Sequence, residues 1–387
     1  MKRFYTGIDI GTYHVKVVIA EPAPDTEHGI RILGVGSASS KGMRHGYIVN
    51  TAEATQSITD ALTRAQEAAK VSVKRARIGI GGIGLDELKS VGEVSLTASG
   101  GEVTTRDLER ALADSERRAS SKLVNKKVIH AIPLTYHLDG KPVLGRPHGL
   151  QGSKLTVETL LITALEQHLN DIIEAVETAG VEAEDVMAAP LAASLVTLTK
   201  PQKMAGVVLA NIGAETLSIA VFENDQPLSV KILPTGAGDV TNDLALAMKV
   251  PLTEAEQMKR GALTKTDVSR KKVDDVVSAR LKDMFGLIDA HLKAIGKHKL
   301  LPAGIVITGG GSGLTTARDI ARATLKLPSQ VTGIPAARTA ADATWAVAFG
   351  LCKWEHTSEQ KMEEDGLSGL FAGAGASLWK GIRSLLP

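Results

Sequence analysis

The residues best suited to chemistry sit in short glycine-bearing turns. In TGIDIGTYHVK (residues 6–16), Asp9 lies between two isoleucines, and Gly11 and Thr12 interrupt an apolar run. Such a stretch suits a loop built to hold a nucleotide phosphate through its backbone amides. The same residues also make an ordinary hairpin turn. In AGVVLANIGAETLSIAVFEND (205–225) the core of the turn recurs, with Asn211-Ile212-Gly213-Ala214 against Asp9-Ile10-Gly11-Thr12. A third stretch, AGIVITGGGSGLTTARDIARATL (303–325), reads as a buried strand, a glycine loop and a helix. That shape presents backbone amides to an anion at a helix N-terminus, although strand-to-helix glycine turns are common in α/β folds.

Two further signals point elsewhere and fail on context. GIGGIG (79–84) matches the dinucleotide pattern G-x-G-x-x-G, but the following LDELKSVGEVSLTAS is too short a helical stretch before strand-like alternation begins. No G-x-x-x-x-G-K-[ST] occurs, which removes a P-loop. The ten histidines lack metal-ligand spacing, so a structural zinc site is not expected.

The elements that would carry the turns repeat. Residues 3–20 read strand, turn, strand; RILGVGSAS is extended; TAEATQSITDALTRAQEAAK (51–70) is helical. From 205 the order returns, with LSVKILPTGAGD extended and VTNDLALAMK helical. The chain is therefore expected to be α/β, with duplicated βββαβα units forming two lobes around a cleft. Between the copies, SVGEVSLTA, TTRDLERALADSERRAS and KVIHAIPLTYHLDG make a self-contained strand-helix-strand pattern, opened by a cap-like Thr104 or Thr105 before Asp107 and Glu109.

The whole chain bounds these readings. Its 387 residues exceed one ordinary core and imply several subdomains. Lys plus Arg (45) nearly balances Asp plus Glu (43), so no global field recruits nucleic acid, and 3% aromatics leave few stacking platforms. Cys352 stands alone, which excludes an internal disulfide, and the N-terminus does not read as a signal peptide. A cytosolic protein is the expectation. No apolar run of bilayer-spanning length is present.

Two hairpins with an Asp/Asn-x-Gly turn and a late TGGGSGL resemble the actin, Hsp70 and sugar-kinase superfamily. VIHAIPLTYHLDG (128–140), PHGLQGSKL (147–155), LLITALEQHLNDIIEAVETAGV (160–181), AAPLAASLVTLT (188–199) and VTNDLALAMKVPLTEAEQMKRGA (240–262) are similar to the FtsA family of bacterial cell-division proteins. The resemblance spans nearly all of residues 5–387. It implies an actin-like two-lobed fold, with subdomain 1A at 1–82 and 160–200, an inserted subdomain 1C at 83–159, 2A at 201–240 and 302–350, and 2B at 241–301. A linker at 351–366 and an amphipathic helix at 367–387 would follow.

The resemblance also implies ATP and Mg²⁺. Gly11, Thr12 and Tyr13 would offer amides to the phosphates, Asp9 would face the metal, and Gly213, Ala214, Glu215 and Thr216 would form the opposing turn. Lys16 would reach phosphate or remain a solvated strand lysine. Glu256 and Lys259, one helical turn apart, would border ribose and adenine or form a surface ion pair. Gly309, Gly310, Gly311 and Ser312 would lie under the nucleotide. Relatives commonly carry Asp where Asn211 stands, so magnesium affinity and turnover are expected to be weak. Glu215 would restore the missing charge or repel phosphate; no catalytic residue is assigned.

At the C-terminus Leu378, Trp379, Ile382, Leu385 and Leu386 recur at helical spacing, with Lys380 and Arg383 on the other face. Such a helix can lie in an anionic membrane interface, or dock on the body or on a partner. The resemblance implies a peripheral protein on the cytoplasmic face of the membrane at the division site. It would polymerise, bind the tubulin-like division protein FtsZ and meet other division proteins through 1C. A small-metabolite kinase of the same superfamily and a pilus-assembly scaffold are the alternatives.

Overall fold

The computed structural model describes residues 3–26, 28–96, 101–262, 269–332 and 343–364. One topology occurs twice. In the first copy β1 (Tyr5–Ile10), β2 (His14–Pro22) and β3 (Ile30–Ser39) form an antiparallel meander. A small hairpin of β4 (Met43–Arg44) and β5 (Tyr47–Ile48) and then α1 (Thr51–Ala69) lead to β6 (Arg75–Ile80), which pairs parallel with β1.

An insert follows: β7 (Asp86–Ser95), α2 (Thr105–Ala119), β8 (Lys126–Leu138), β9 (Lys141–Val143) and β10 (Lys154–Leu165). Then α3 (Glu166–Thr178) and β11 (Glu182–Ala188) complete a sheet in the order β3-β2-β1-β6-β11.

After α4 (Ala189–Thr197) and α5 (Lys200–Ala205), the meander returns as β12 (Val207–Ile212), β13 (Leu217–Glu223) and β14 (Gln226–Leu233). Three helices come next: α6 (Ala237–Met248), α7 (Leu252–Lys259) and α8 (Arg270–Ala294). β15 (Ile305–Thr308), α9 (Ala317–Leu325) and β16 (Ser329–Val331) close the second sheet as β14-β13-β12-β15-β16, with both added pairings parallel. Strand order and directions match the first sheet, so the duplication expected from the turns is present.

Period-2 alternation gives the second sheet two buried faces. Val207 and Leu209 of β12 join the core shared with α4 and the first lobe, while Val208, Ala210 and Ile212 face the helices of the second lobe. The lobes therefore share a dry base. The insert has its own small core of Val94, Val103, Leu108, Ala111, Tyr136, Leu155 and Val157. Its helix opens as expected, in a capping box where Thr104 and Asp107 satisfy each other's backbone N–H.

The expected boundaries at the end of the second lobe need correction. α10 (Ala346–Glu364) is one helix whose residues up to His356 pack on the first lobe, so 346–350 leave the 2A range and 351–356 are part of that lobe's core rather than a linker. Phe349, Leu351, Cys352 and Trp354 are buried in the first core. The guanidinium of the buried Arg77 stacks on Trp354, and Tyr5 hydroxyl meets His356 Nδ1. The polar letters of this stretch conceal an apolar face that only tertiary contact reveals. The amphipathic segment with Leu378, Trp379, Lys380, Ile382, Arg383, Leu385 and Leu386 lies outside the described residues. Among the described residues no helix is long and apolar enough to cross a membrane.

Candidate functional site

The two hairpin turns are built alike. The pair Ile10–Val15 encloses Gly11 to His14, and the pair Ile212–Leu217 encloses Gly213 to Thr216. Gly11 N–H donates to His14 carbonyl at 3.2 Å, and Gly213 N–H donates to Thr216 carbonyl at 2.8 Å. These bonds close each four-residue loop, so the first glycine's amide in each turn is occupied, contrary to the expectation for Gly11. The amides of Thr12, Tyr13, Ala214 and Glu215 meet no backbone acceptor among the described residues. Unpaired turn amides of this kind are donors that suit an anion.

Cross-strand register fixes which side chains accompany the turns. Asp9 stands opposite Lys16, and at the equivalent place Asn211 stands opposite Ser218. Directly opposed residues share one face of a hairpin. Burial raises the Asp9 pKa, and the half-buried Lys16 opposes that shift. The first lobe thus holds an acid with its cation, and the second a neutral amide with a hydroxyl.

The glycine turn is fitted against Asn211. β15 runs parallel to β12 with Asn211 beside Thr308, so the chain leaves the sheet at Gly309 just as the hairpin turn begins. Gly309 has φ +84°, and a Cβ there would overlap Asn211 Oδ1 and crowd the Ile212 carbonyl. Buried Ser312 donates its hydroxyl to Gly309 carbonyl at 2.7 Å, which holds the turn and assigns that side chain an internal role. Gly310 is exposed, and a Cβ there would have Thr344 Cγ2 at 3.7 Å. In the first lobe Asp9 pairs with Gly79, so GIGGIG occupies the place of TGGGSG. β6 leads into β7 without a helix, and the dinucleotide reading of that motif fails as expected.

Each turn also reaches the opposite lobe. The Glu215 carboxylate accepts the His45 N–H at 2.5 Å, His45 Nδ1 lies 3.3 Å from the Glu215 carbonyl, and Arg44 is 3.9 Å from the carboxylate. Both partners belong to the β4–β5 hairpin, whose His45 carbonyl in turn accepts Ile83 N–H. From the first turn, Tyr13 hydroxyl accepts a hydrogen bond from Arg260 at 3.2 Å. Glu215 is thus a contact between the lobes, its carboxylate held by the His45 N–H and lying near Arg44. His45, Arg44 and Arg260 were not singled out from sequence; His45-Gly46 is a turn signal, but its partner lies 170 residues away.

Glu256 and Lys259 lie behind the second turn. Ala237 and Gly238 donate their N–H groups to the carbonyls of Gly213 and Ala214, which pins the start of α6 to the turn. Lys259 Nζ bonds Ala237 carbonyl at 3.0 Å, Thr241 hydroxyl at 2.8 Å and Glu256 at 2.6 Å. Burial disfavours the Glu256 charge, yet hydrogen bonds from Lys259, Thr241 and Arg260 hold its pKa below the ordinary value. The pair is a connected network, with Lys259 largely covered, rather than a loose surface ion pair.

The donor set suits a phosphate chain better than a bare cation. Each lobe offers two turn amides that meet no backbone acceptor, and no trio of acidic, histidine or cysteine side chains able to hold a metal occurs among the described residues. A magnesium ion would therefore depend on phosphate oxygens and water, with Asp9 as the nearby carboxylate.

Comparison with known proteins accords with this architecture. Residues 208–350 match the family model described as Cell division protein FtsA, and residues 84–163 match that of the SHS2 domain inserted in FTSA. The second match covers the insert. The chain is 30% identical over 356 residues to the cell division protein FtsA of Neisseria meningitidis serogroup B, covering 86% of this chain and 84% of that protein. It is 29% identical over 354 residues to that of Pseudomonas aeruginosa, covering 86% and 83%. Among solved structures, the PilM-PilN type IV pilus biogenesis complex aligns with a TM-score of 0.68 at 18% identity over 90% of this chain and 97% of that one. MreB 5 of Spiroplasma citri bound to AMPPNP aligns with a TM-score of 0.55 at 12% identity, over 94% and 99%. These likenesses establish an actin-like fold.

Proposed function

The chain belongs to the FtsA family of cell division proteins, and on that premise we propose that it is an ATP-binding, filament-forming adaptor that tethers FtsZ to the cytoplasmic membrane. The reading is supported by the pair of equivalent turns, one in each lobe, each with two amides that meet no backbone acceptor among the described residues, and by the glycine turn seated against the second. Thr12, Tyr13, Ala214 and Glu215 would hold the phosphates through backbone N–H groups, and Gly310 would leave room for the nucleotide. Glu256 and Lys259, tied to the second turn through α6, would border the ribose and base. Bound Mg²⁺ would supply charge neutralisation at the phosphates. Asp9 would orient its water shell, while Asn211 contributes an oxygen without charge. Such a site favours binding over turnover, and binding alone can set lobe closure.

The segment 367–387 would attach the filament to the inner face of the membrane. Lys380 and Arg383 each contribute about 1 kcal/mol near an anionic surface. Each large apolar residue among Leu378, Trp379, Ile382, Leu385 and Leu386 adds roughly 1.5–3 kcal/mol at full burial. A single tail then binds reversibly, and many tails along a polymer bind with avidity. Assembly would thus control attachment, with subdomain 1C available to other division proteins.

Liposome co-sedimentation of the full chain and of a chain truncated before Leu367, with FtsZ and with or without ATP, tests this. The full chain should carry FtsZ down with anionic vesicles, more so with ATP, and the truncated chain should leave both in solution. Equal sedimentation of the two chains would remove the membrane-tail reading.

A further inference from the structure

The insert is threaded into the first lobe, between β6 and α3, yet its edge strand touches the second lobe. Glu87 of β7 accepts two hydrogen bonds from β14, from Ser229 hydroxyl at 2.6 Å and from Val230 N–H at 2.5 Å. Among the described residues β14 is the outermost strand of the second sheet, so the Val230 N–H is a ladder donor that points away from the sheet, to Glu87. Ser229, donating to Glu87, accepts from His291 Nε2 of α8 at 2.8 Å, and this order of donors sets the histidine tautomer. Ser229 is 1% exposed. Asp86 adds a half-exposed ion pair to Lys231 of β14 at 3.6 Å, a minor contribution by comparison.

We infer that Glu87, Ser229 and His291 latch the insert to the second lobe, so that the insert moves with that lobe and its orientation relative to the first lobe reports the state of the cleft. Burial of Glu87 raises its pKa and burial of His291 lowers its pKa, which marks the junction as shielded from water. A carboxylate in such a place is stabilised by its two donors and loses much if they separate, so the contact is either made or broken. Domain closure that rotates one lobe against the other must then shift the insert where it meets the first lobe: at its connections through Leu85 and Leu165, at Ile129, Ile132, Leu160 and Ile162, which pack into that lobe's core, and at His130 Nε2, which accepts the Ala188 N–H at 3.0 Å. The partner-binding face of the insert would change its angle whenever the cleft changes its occupant. The nucleotide part of this inference rests on the proposed ATP site; the latch itself does not.

Paired spin labels on the full chain separate the two parts. One pair, Leu144→Cys on the insert and Leu300→Cys on the second lobe, reads the latched distance; another, Leu144→Cys and Ala68→Cys on α1, reads the flexing distance. Cys352 is buried and stays unlabelled in the folded chain. With ATP and Mg²⁺ the insert-to-first-lobe distance should shift by several ångström while the insert-to-second-lobe distance holds. Glu87→Ala and Ser229→Ala should broaden the second distance without nucleotide, and Glu87→Gln, which keeps one acceptor, should restore most of its sharpness. A second-lobe distance that shifts with ATP as far as the first, or distributions unchanged in both alanine variants, would overturn the latch. Nucleotide affinity measured on the same samples tells failure of the ATP reading from failure of the latch, because the alanine comparison needs no nucleotide.

Discussion

Glu215, in the turn of the second lobe, accepts the backbone N–H of His45 from the first lobe at 2.5 Å, and so ties the lobes together beside the site itself. A hydrogen bond to a charged group contributes about 1.5–3 kcal/mol, so its loss should loosen closure measurably. Glu215→Ala should speed release of a fluorescent ATP derivative about tenfold in stopped-flow measurements, the equivalent of roughly 1.4 kcal/mol. Glu215→Gln, which keeps an acceptor, should change the rate much less. Identical release from Glu215→Ala and the natural chain would mean that this contact does not govern closure.

The asymmetry between the acid–lysine pair Asp9–Lys16 and the neutral pair Asn211–Ser218 makes a second prediction. A carboxylate at 211 would face a hydroxyl instead of an ammonium, leaving its charge available to a metal. Asn211→Asp should tighten Mg²⁺ binding to the ATP-loaded protein about tenfold and raise ATP hydrolysis. Magnesium titration followed by phosphate release checks both, and no change in either would contradict the role given to Asn211.

Gly309 and Gly310 should respond oppositely to one added methyl. At Gly309 the left-handed backbone and the overlap with Asn211 Oδ1 should cost about 1–3 kcal/mol of stability in Gly309→Ala. At Gly310 the nearest atom, Thr344 Cγ2, would stand 3.7 Å from the new methyl, so Gly310→Ala should melt close to the natural protein. Calorimetry of the two variants distinguishes them, and equal melting would show that the glycine turn is not seated on Asn211.

The repeated turns are legible in the sequence because turn chemistry is local. Asp9 to Thr12 and Asn211 to Ala214 share a spacing that four-residue loops with one closing bond reproduce in both lobes. The insert is legible for a similar reason, since Thr104 and Asp107 cap a helix three residues apart. What escapes is long-range. Glu215 finds His45, Tyr13 finds Arg260 and Glu87 finds Ser229 only after both lobes have assembled, and no periodicity encodes those meetings. α10 escapes because Lys353, Glu355 and His356 read as solvated, while burial of Trp354 over Arg77 is decided by a sheet from the opposite end of the chain.

Asp185, beside Arg77 beneath α10, gives a pH signature. Burial raises its pKa from 3.8 to about 6 against the opposing charge of Arg77. The native state therefore holds this proton more tightly than the unfolded chain does. The stability it contributes is complete below about pH 4 and is lost as pH rises to about 6. Asp185→Asn does not titrate, so its stability relative to the natural chain should rise across that window, by up to about 3 kcal/mol, and then level off. Denaturant unfolding at a series of pH values checks this; a constant difference between the two chains would place the Asp185 proton elsewhere.

The central claim is that one ATP binds between the two turns, and equilibrium titration of ATP with Mg²⁺ into the full chain and into Gly310→Val tests it most directly. The account predicts one site on the natural chain, and a loss of affinity of at least about tenfold in a variant that still folds, because the nucleotide is proposed to lie over the exposed Gly310. No ATP binding by the natural chain, or equal affinity in the two, would contradict it.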